Sequence, residues 1–244
     1  MTVWIGVTVD NRDNTEASGV TTSPAGYSRA LGAAGAVPVL LPQEPGAIAQ
    51  YVERLDGLVL TGGNDPAMES YGQPTHARAK VMAERRQSFD AALWRAWRTQ
   101  ETVKPALGVC WGMQLMALEA GGAMTQHMPD VMGEEAAFLH KDRRTHGVVA
   151  EPGLQTPTVL PAGAPGEVVV SNHHQAMAET SPGLCGAMRV VARAPDGVIE
   201  AIDDAALPWC LAVQWHPERG GEGGLSRGVF RALVAACERE KAGV

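Results

Sequence analysis

Basic charge is in short supply in this 244-residue chain, where 20 Lys and Arg stand against 27 Asp and Glu for a formal net charge of -7. A surface of that sign excludes a sequence-independent grip on nucleic-acid phosphates, which needs a basic face. Cysteine is scarce as well. The four residues, Cys110, Cys185, Cys210 and Cys237, show no C-x-x-C pairing and no dense framework. Neither a cysteine zinc centre nor structural disulfides are therefore expected, and reduced thiols in a cytoplasmic setting fit the pattern. No apolar run reaches the roughly 20 residues of a membrane span, and the strand-like start V-W-I-G-V-T-V lacks the charged and apolar regions of a secretory signal. His76, His127, His140 and His146 lack the i, i+4 spacing of a helical metal site, so they read as surface or structural residues, with no metal and no cofactor expected.

What the chain does have is a globular composition, with 45% hydrophobic and 19% charged residues. Its length suits one sizeable domain, and residues 1–244 are read as such. Short Val-, Ile- and Leu-rich runs alternate with helical patterns through the first half, the signature of β-α units around a parallel sheet. Strands are predicted at Val3–Val9, Val37–Leu41, Gly57–Thr61 and Pro105–Val109. Ser23 and Pro24 read as the cap and first-turn proline of a helix toward Leu31, Arg78–Thr99 as a long helix, and another helix begins at Gly112. On the long helix, Arg85, Arg86 and Asp90 read as a solvated face, and Trp94 and Trp97 as core or interface residues. Beyond Arg143 the pattern changes to β-branched runs, Glu167–Val170, Met188–Arg193 and Val198–Ile202, which predict an antiparallel extension. Leu211–Trp215 returns to a core strand, and Leu225–Lys241 is an amphipathic helix.

Three segments carry chemistry. In P-A-L-G-V-C-W-G, residues 105–112, a buried strand runs into Cys110 and a helix follows. Gly108 and Gly112 supply the flanking positions of a nucleophile elbow, where side-chain bulk is excluded. The helix start favours negative charge on the sulfur. In A-V-Q-W-H-P-E, residues 212–218, a late strand ends at His216 with Glu218 two residues on. That pair offers a proton acceptor and a carboxylate to orient it. In L-V-L-T-G-G-N-D, residues 58–65, a strand runs into Gly62 and Gly63, whose backbone N–H groups suit an anion, and the Gly63 amide pairs with that of Trp111 as an oxyanion site.

These segments, in this order, resemble the class I glutamine amidotransferase superfamily and, within it, the γ-glutamyl-γ-aminobutyrate hydrolase family. The likeness rests on T-G-G-N-D-P with Tyr71-Gly72, G-V-C-W-G-M-Q-L, S-N-H-H-Q, A-P-D-G-V-I-E-A and V-Q-W-H-P-E, and spans nearly the whole chain. It implies a flavodoxin-like three-layer α/β sandwich with a mostly parallel central sheet and a small antiparallel extension. It also implies a triad of Cys110, His216 and Glu218, with Gly62, Gly63, Trp111, Gln114, His173, His174 and Gln175 near the oxyanion or substrate. The expected reaction is hydrolysis of a small-molecule γ-glutamyl amide through a γ-glutamyl thioester. A glutaminase component feeding ammonia to a synthetase and a silent ligand-binding protein of the same fold stand as alternatives, and a homodimer is compatible with the sequence. Three positions depart from the family pattern. Trp111 replaces a common arginine and predicts an apolar neighbour for the departing amine, Thr61 replaces a proline, and V-V-S-N replaces V-N-S.

Overall fold

The computed structural model describes residues 1–11, 20–151, 168–220 and 224–243. Its first half holds β1 (Val3–Thr8), β2 (Asp10–Asn11), β3 (Thr21–Thr22), α1 (Ala25–Ala33), β4 (Ala36–Leu41), α2 (Ile48–Arg54), β5 (Gly57–Leu60), α3 (Glu84–Arg98), β6 (Ala106–Val109), α4 (Trp111–Glu119) and β7 (Ala123–Thr125). The second holds α5 (Pro129–Met132), α6 (Glu134–Phe138), β8 (Arg144–Gly147), β9 (Val149–Ala150), β10 (Val168–Ser171), β11 (Ala176–Ala178), β12 (Leu184–Cys185), β13 (Met188–Arg193), β14 (Ile199–Asp203), β15 (Cys210–Val213) and α7 (Gly224–Ala242).

Five strands pair in parallel in the order β4-β1-β5-β6-β15, which is the flavodoxin-like sequence of second, first, third, fourth and fifth. The sheet continues antiparallel through β14, β13 and β12, with β9 also on β13. The expected parallel core with an antiparallel extension is therefore present. Strand periodicity divides the core into two layers. Val59 points with Val3, Ile5 and Val7 toward Tyr27 and Leu31 of α1 and Leu233 of α7, while Leu58 and Leu60 point toward α3 and α4. Helices on both faces are what a parallel sheet buried on both sides requires.

Most predicted boundaries fall within a residue or two of the observed ones, but four expectations change. The helix read from Arg78 starts only at Glu84. Asp65 holds the preceding segment extended by accepting Lys80 N–H at its side chain and exchanging backbone bonds with Lys80 and Met82. The capping role assigned to Ser23 is not made, because Pro24 occupies the N-cap of α1 and no side-chain cap bond forms there. Glu167, the first residue of one predicted strand, lies outside the described residues, and the strand is Val168–Ser171.

The fourth change concerns the supposedly solvated face of α3. Arg86 and Asp90 are both fully buried, joined at 2.6 Å (Nε to Oδ2). Arg86 also donates to Thr61 Oγ1 at 3.0 Å and Thr61 O at 3.3 Å, while Asp90 Oδ2 accepts the Trp111 indole N–H at 3.0 Å. Only Arg85, its neighbour, faces outward, to Gln43 O and Glu44. Helical periodicity places i and i+4 together but cannot tell which face meets the sheet when both residues are charged. Removing Asp90 would leave the buried Arg86 with the more distant Asp10 Oδ1, 3.5 Å from Nη1, as its carboxylate partner. Asp90→Ala is therefore expected to destabilise the fold by about 3–5 kcal/mol, measured by urea denaturation, whereas a loss within about 0.5 kcal/mol would mark the pair as a surface-like contact.

Candidate active site

The centre of the site is built by backbone crowding at the C-terminal edge of the parallel sheet. Cys110 sits between β6 and α4 with φ 51° and ψ -105°, a strained conformation for a residue with a side chain. Its flanking glycines are needed for close approach. A Cβ on Gly108 would stand 2.8 Å from Gly112 C, and one on Gly112 would stand 2.2 Å from Leu60 O. The turn brings the chain back over β5, and Gln114 N–H closes the first helical bond onto Cys110 O at 3.1 Å.

His216 leaves the end of β15 and is anchored by its own N–H, which donates to Val170 O at 2.8 Å. Its ring Nδ1 lies 2.8 Å from Glu218 Oε1, and both side chains are buried. Gly62 is the meeting point of the two halves: a Cβ there would lie 3.0 Å from His216 Cε1 and 3.5 Å from Cys110 Cβ. His216 Nε2 is buried without a hydrogen-bond partner among the described residues. Burial alone would lower the imidazole pKa, but the negative charge and hydrogen-bonding capacity of Cys110, with those of Glu218, outweigh it and push the value up to about 9.

The other expected residues divide by where their polar atoms point. Gly62 N–H donates to Tyr27 Oη at 3.0 Å, which leaves the next amide, that of Gly63, at the strand end. A Cβ on Gly63 would touch the Trp111 side chain at 3.4 Å, so Gly63 lies against that side chain. The Trp111 ring does not wall an open pocket as its apolar character suggested: it is fully buried in the core with its N–H on Asp90, so the preference inferred for an apolar amine loses its basis. Gln114 is buried and reaches Gln214 Oε1 at 3.3 Å. His174 Nε2 lies 2.9 Å from Asp65 Oδ2, on the T-G-G-N-D loop. Gln175 donates to Gln126 O at 3.1 Å, and His173 turns away, its Nδ1 on Gln175 O at 2.9 Å.

Sequence reasoning missed Tyr27, whose hydroxyl touches both the Gly62 amide and the space beside Cys110. Burial raises its pKa well above the usual phenol value, reinforced by the charge of Glu218. No motif announces a tyrosine in the first turn of α1; a Gly-Tyr pair could have hinted at close packing, since a Cβ on Gly26 would stand 2.4 Å from Glu218 O. The histidines read as scattered are not. His140, His146 and His173 converge on Glu200, and His76 and His127 meet Asp130 near the surface.

A parallel sheet with a strained cysteine at a strand-to-helix corner is the architecture of glutamine amidotransferase-like α/β proteins. The family model for Peptidase C26 matches residues 3–218, and the chain belongs to that family. It is 34% identical to the Mycobacterium tuberculosis protein Rv2859c, assigned to the glutamine amidotransferases, over 88% of this chain and 67% of that one. It is 29% identical to γ-glutamyl-γ-aminobutyrate hydrolase PuuD of Escherichia coli K12, over 87% of this chain and 85% of that one. A Thermoplasma acidophilum crystal structure, assigned to a component of GMP synthase, shares the fold with a TM-score of 0.65 and 18% identity, over 99% of this chain and 97% of that one. Among the described residues no helix is long and apolar enough to cross a membrane.

The raised His216 pKa has a sign that can be checked. A proton held more tightly in the folded state contributes stability in full below the ordinary value of 6.5, and that contribution disappears as pH rises through about 9. Because Cys110 supplies the largest upward push, Cys110→Ala should lower the His216 pKa and flatten the fall in stability between those values, read by NMR titration of the imidazole and by urea melts across pH. An unchanged His216 titration would separate the two side chains electrostatically.

Proposed function

We propose that the protein hydrolyses γ-glutamyl amides, with Cys110 as nucleophile, His216 as acid and base, and Glu218 as the carboxylate that orients and charges the imidazole. The observation that carries this reading is the buried His216–Glu218 pair beside a cysteine held in a strained strand-to-helix corner. With a raised pKa, His216 keeps its proton at neutral pH, which suits a cysteine sulfur that begins as thiolate. The sulfur attacks the γ-carbonyl carbon, and the amides of Gly63 and Trp111 receive the oxyanion. As the tetrahedral intermediate collapses, the C–N bond breaks and His216 transfers its proton to the departing amine. The resulting γ-glutamyl thioester is attacked by water, whose proton goes to His216. Glutamate leaves, and the thiolate–imidazolium pair is restored. No cofactor enters this sequence. His174, fixed by Asp65 at the mouth of the glycine turn, is the residue of the H-H-Q segment assigned to the substrate, while His173 and Gln175 hold that segment in place.

A relative's name, γ-glutamyl-γ-aminobutyrate hydrolase, supports the choice of γ-glutamyl amides over other amides. The test is glutamate release from a panel of γ-glutamyl amides, γ-glutamyl-γ-aminobutyrate and glutamine included, by the purified chain alone. Turnover of at least one amide is expected, with kcat falling at least about 1,000-fold in Cys110→Ala. Release by Cys110→Ala at the wild-type rate would end the thioester mechanism. Activity confined to glutamine and dependent on an added synthetase would replace hydrolase by ammonia donor.

A further inference from the structure

Away from Cys110, four side chains that no step above uses point at one another. Glu200 Oε1 lies 3.3 Å from His140 Nδ1, 3.4 Å from His146 Nε2 and 3.4 Å from His173 Nε2. All four ligand atoms fall within 4.8 Å of one another, and the side chains of His140, His173 and Glu200 are almost completely buried. None of these three nitrogens, and neither Glu200 oxygen, has a hydrogen-bond partner among the described residues.

The far nitrogen of each ring explains why. His140 Nε2 lies 2.8 Å from Asp196 Oδ2, His146 Nδ1 3.0 Å from Gly147 O, and His173 Nδ1 2.9 Å from Gln175 O. Carbonyl and carboxylate oxygens accept, so each of these outward nitrogens carries a proton, which leaves the inward nitrogen as the atom a cation would take. Three inward ring nitrogens and a carboxylate oxygen thus face one another in a buried space. Imidazolium–carboxylate hydrogen bonds would close to about 2.7–2.9 Å. The three separations from Glu200 Oε1 instead match the edge of a tetrahedron with metal–ligand bonds of about 2.0–2.2 Å, which is about 3.3–3.6 Å, and the ring nitrogens lie within 4.8 Å of one another. The outward N–H bonds are those that orient histidine ligands in metal sites.

We propose that His140, His146, His173 and Glu200 form a four-coordinate site for a divalent zinc-type ion. Imidazole and carboxylate donors suit zinc, and four protein ligands with no open position define a structural centre rather than a catalytic one. Such an ion fastens the segment after α6, strand β8 and the H-H-Q segment to β14 of the main sheet. It thereby fixes the residue preceding His174 independently of the chemistry at Cys110.

The test uses the full chain without a histidine tag. Purified without chelator, or stripped with dipicolinate and resupplied with zinc, it should hold about one zinc per chain by mass spectrometric metal analysis, and stripping should lower Tm by several degrees. His146→Ala and Glu200→Gln should each weaken zinc binding at least about 100-fold, since loss of a direct ligand exceeds loss of an outer-shell partner. If those variants do not fold, cobalt-loaded wild type decides: intense visible absorption of tetrahedral Co(II) without a thiolate charge-transfer band is expected. Zinc content below about 0.1 per chain after resupply, an octahedral or thiolate-ligated cobalt spectrum, or unchanged binding in folded variants would overturn the proposal.

Discussion

Helix α4 can lie against the end of strand β5 only because residue 112 has no side chain: a Cβ there would enter the Leu60 carbonyl at 2.2 Å. That contact fixes where the chain must turn, and the turn forces Cys110 to φ 51°. Strain of this kind persists only when the surroundings overdetermine it. Here β6 pairs with both β5 and β15, and Cys110 N–H donates to Val213 O at 2.8 Å, so the corner is held from two strands at once. The same pairing delivers His216, three residues beyond Val213, to the side of the cysteine. The position of Cys110 and the approach of His216 are thus two results of one packing constraint.

Beneath the corner lies a layer of buried charge. Arg86 bridges Asp90 to the Thr61 carbonyl and hydroxyl, and Asp90 holds the Trp111 indole. Thr61 in turn locks β5 to β1 through Thr8, its N–H and hydroxyl bonded to Thr8 Oγ1 and O at 3.0 Å each. These bonds run from the first parallel strand, through the glycine turn, to Trp111, the residue after Cys110. The two departures from the family pattern at Thr61 and Trp111 meet in this network, each supplying a polar group that Arg86 or Asp90 engages. They read as one local solution to burying an ion pair.

Much of this was legible without coordinates because the relevant constraints are local. Val3–Thr8 and Met188–Arg193 are apolar runs whose β-branched residues and flanking breakers identify strands, and Gly108 and Gly112 mark the elbow by spacing alone. The illegible parts depend on contacts far apart in sequence. Helix α3 loses its first turn because Asp65 captures Lys80 across the glycine loop. Arg86 and Asp90 look solvent-facing until the sheet covers them. Tyr27 matters through an amide 35 positions away. The histidine cluster draws His146 and Glu200 from two strands and His140 and His173 from two connecting segments, up to 60 positions apart from His140 to Glu200, so no spacing rule on one helix could reveal it. Trp111 shows the converse limit: its identity was plain, but the direction of its ring was not.

The antiparallel extension explains why the histidine cluster and His216 are not independent features. His216 N–H is held by Val170 O on β10, and Gln214 N–H by Glu200 O on β14, so the strand that ends in His216 is gripped by the very elements that carry the cluster. Strand β10 is itself paired with β8, which contributes His146, and His173 follows β10 by two residues. A shift of β10 against β14 would therefore move the His216 backbone and pull His146 and His173 off Glu200 together. In a flavodoxin-like sheet the last parallel strand has a neighbour on one side only from the parallel core, and here the extension supplies the other. What holds that extension in register accordingly sets where the His216 backbone stands, and the proposed ion would add a link from β8 and the segment after β10 to β14 that the two-stranded pairing of β8 and β10 does not give alone.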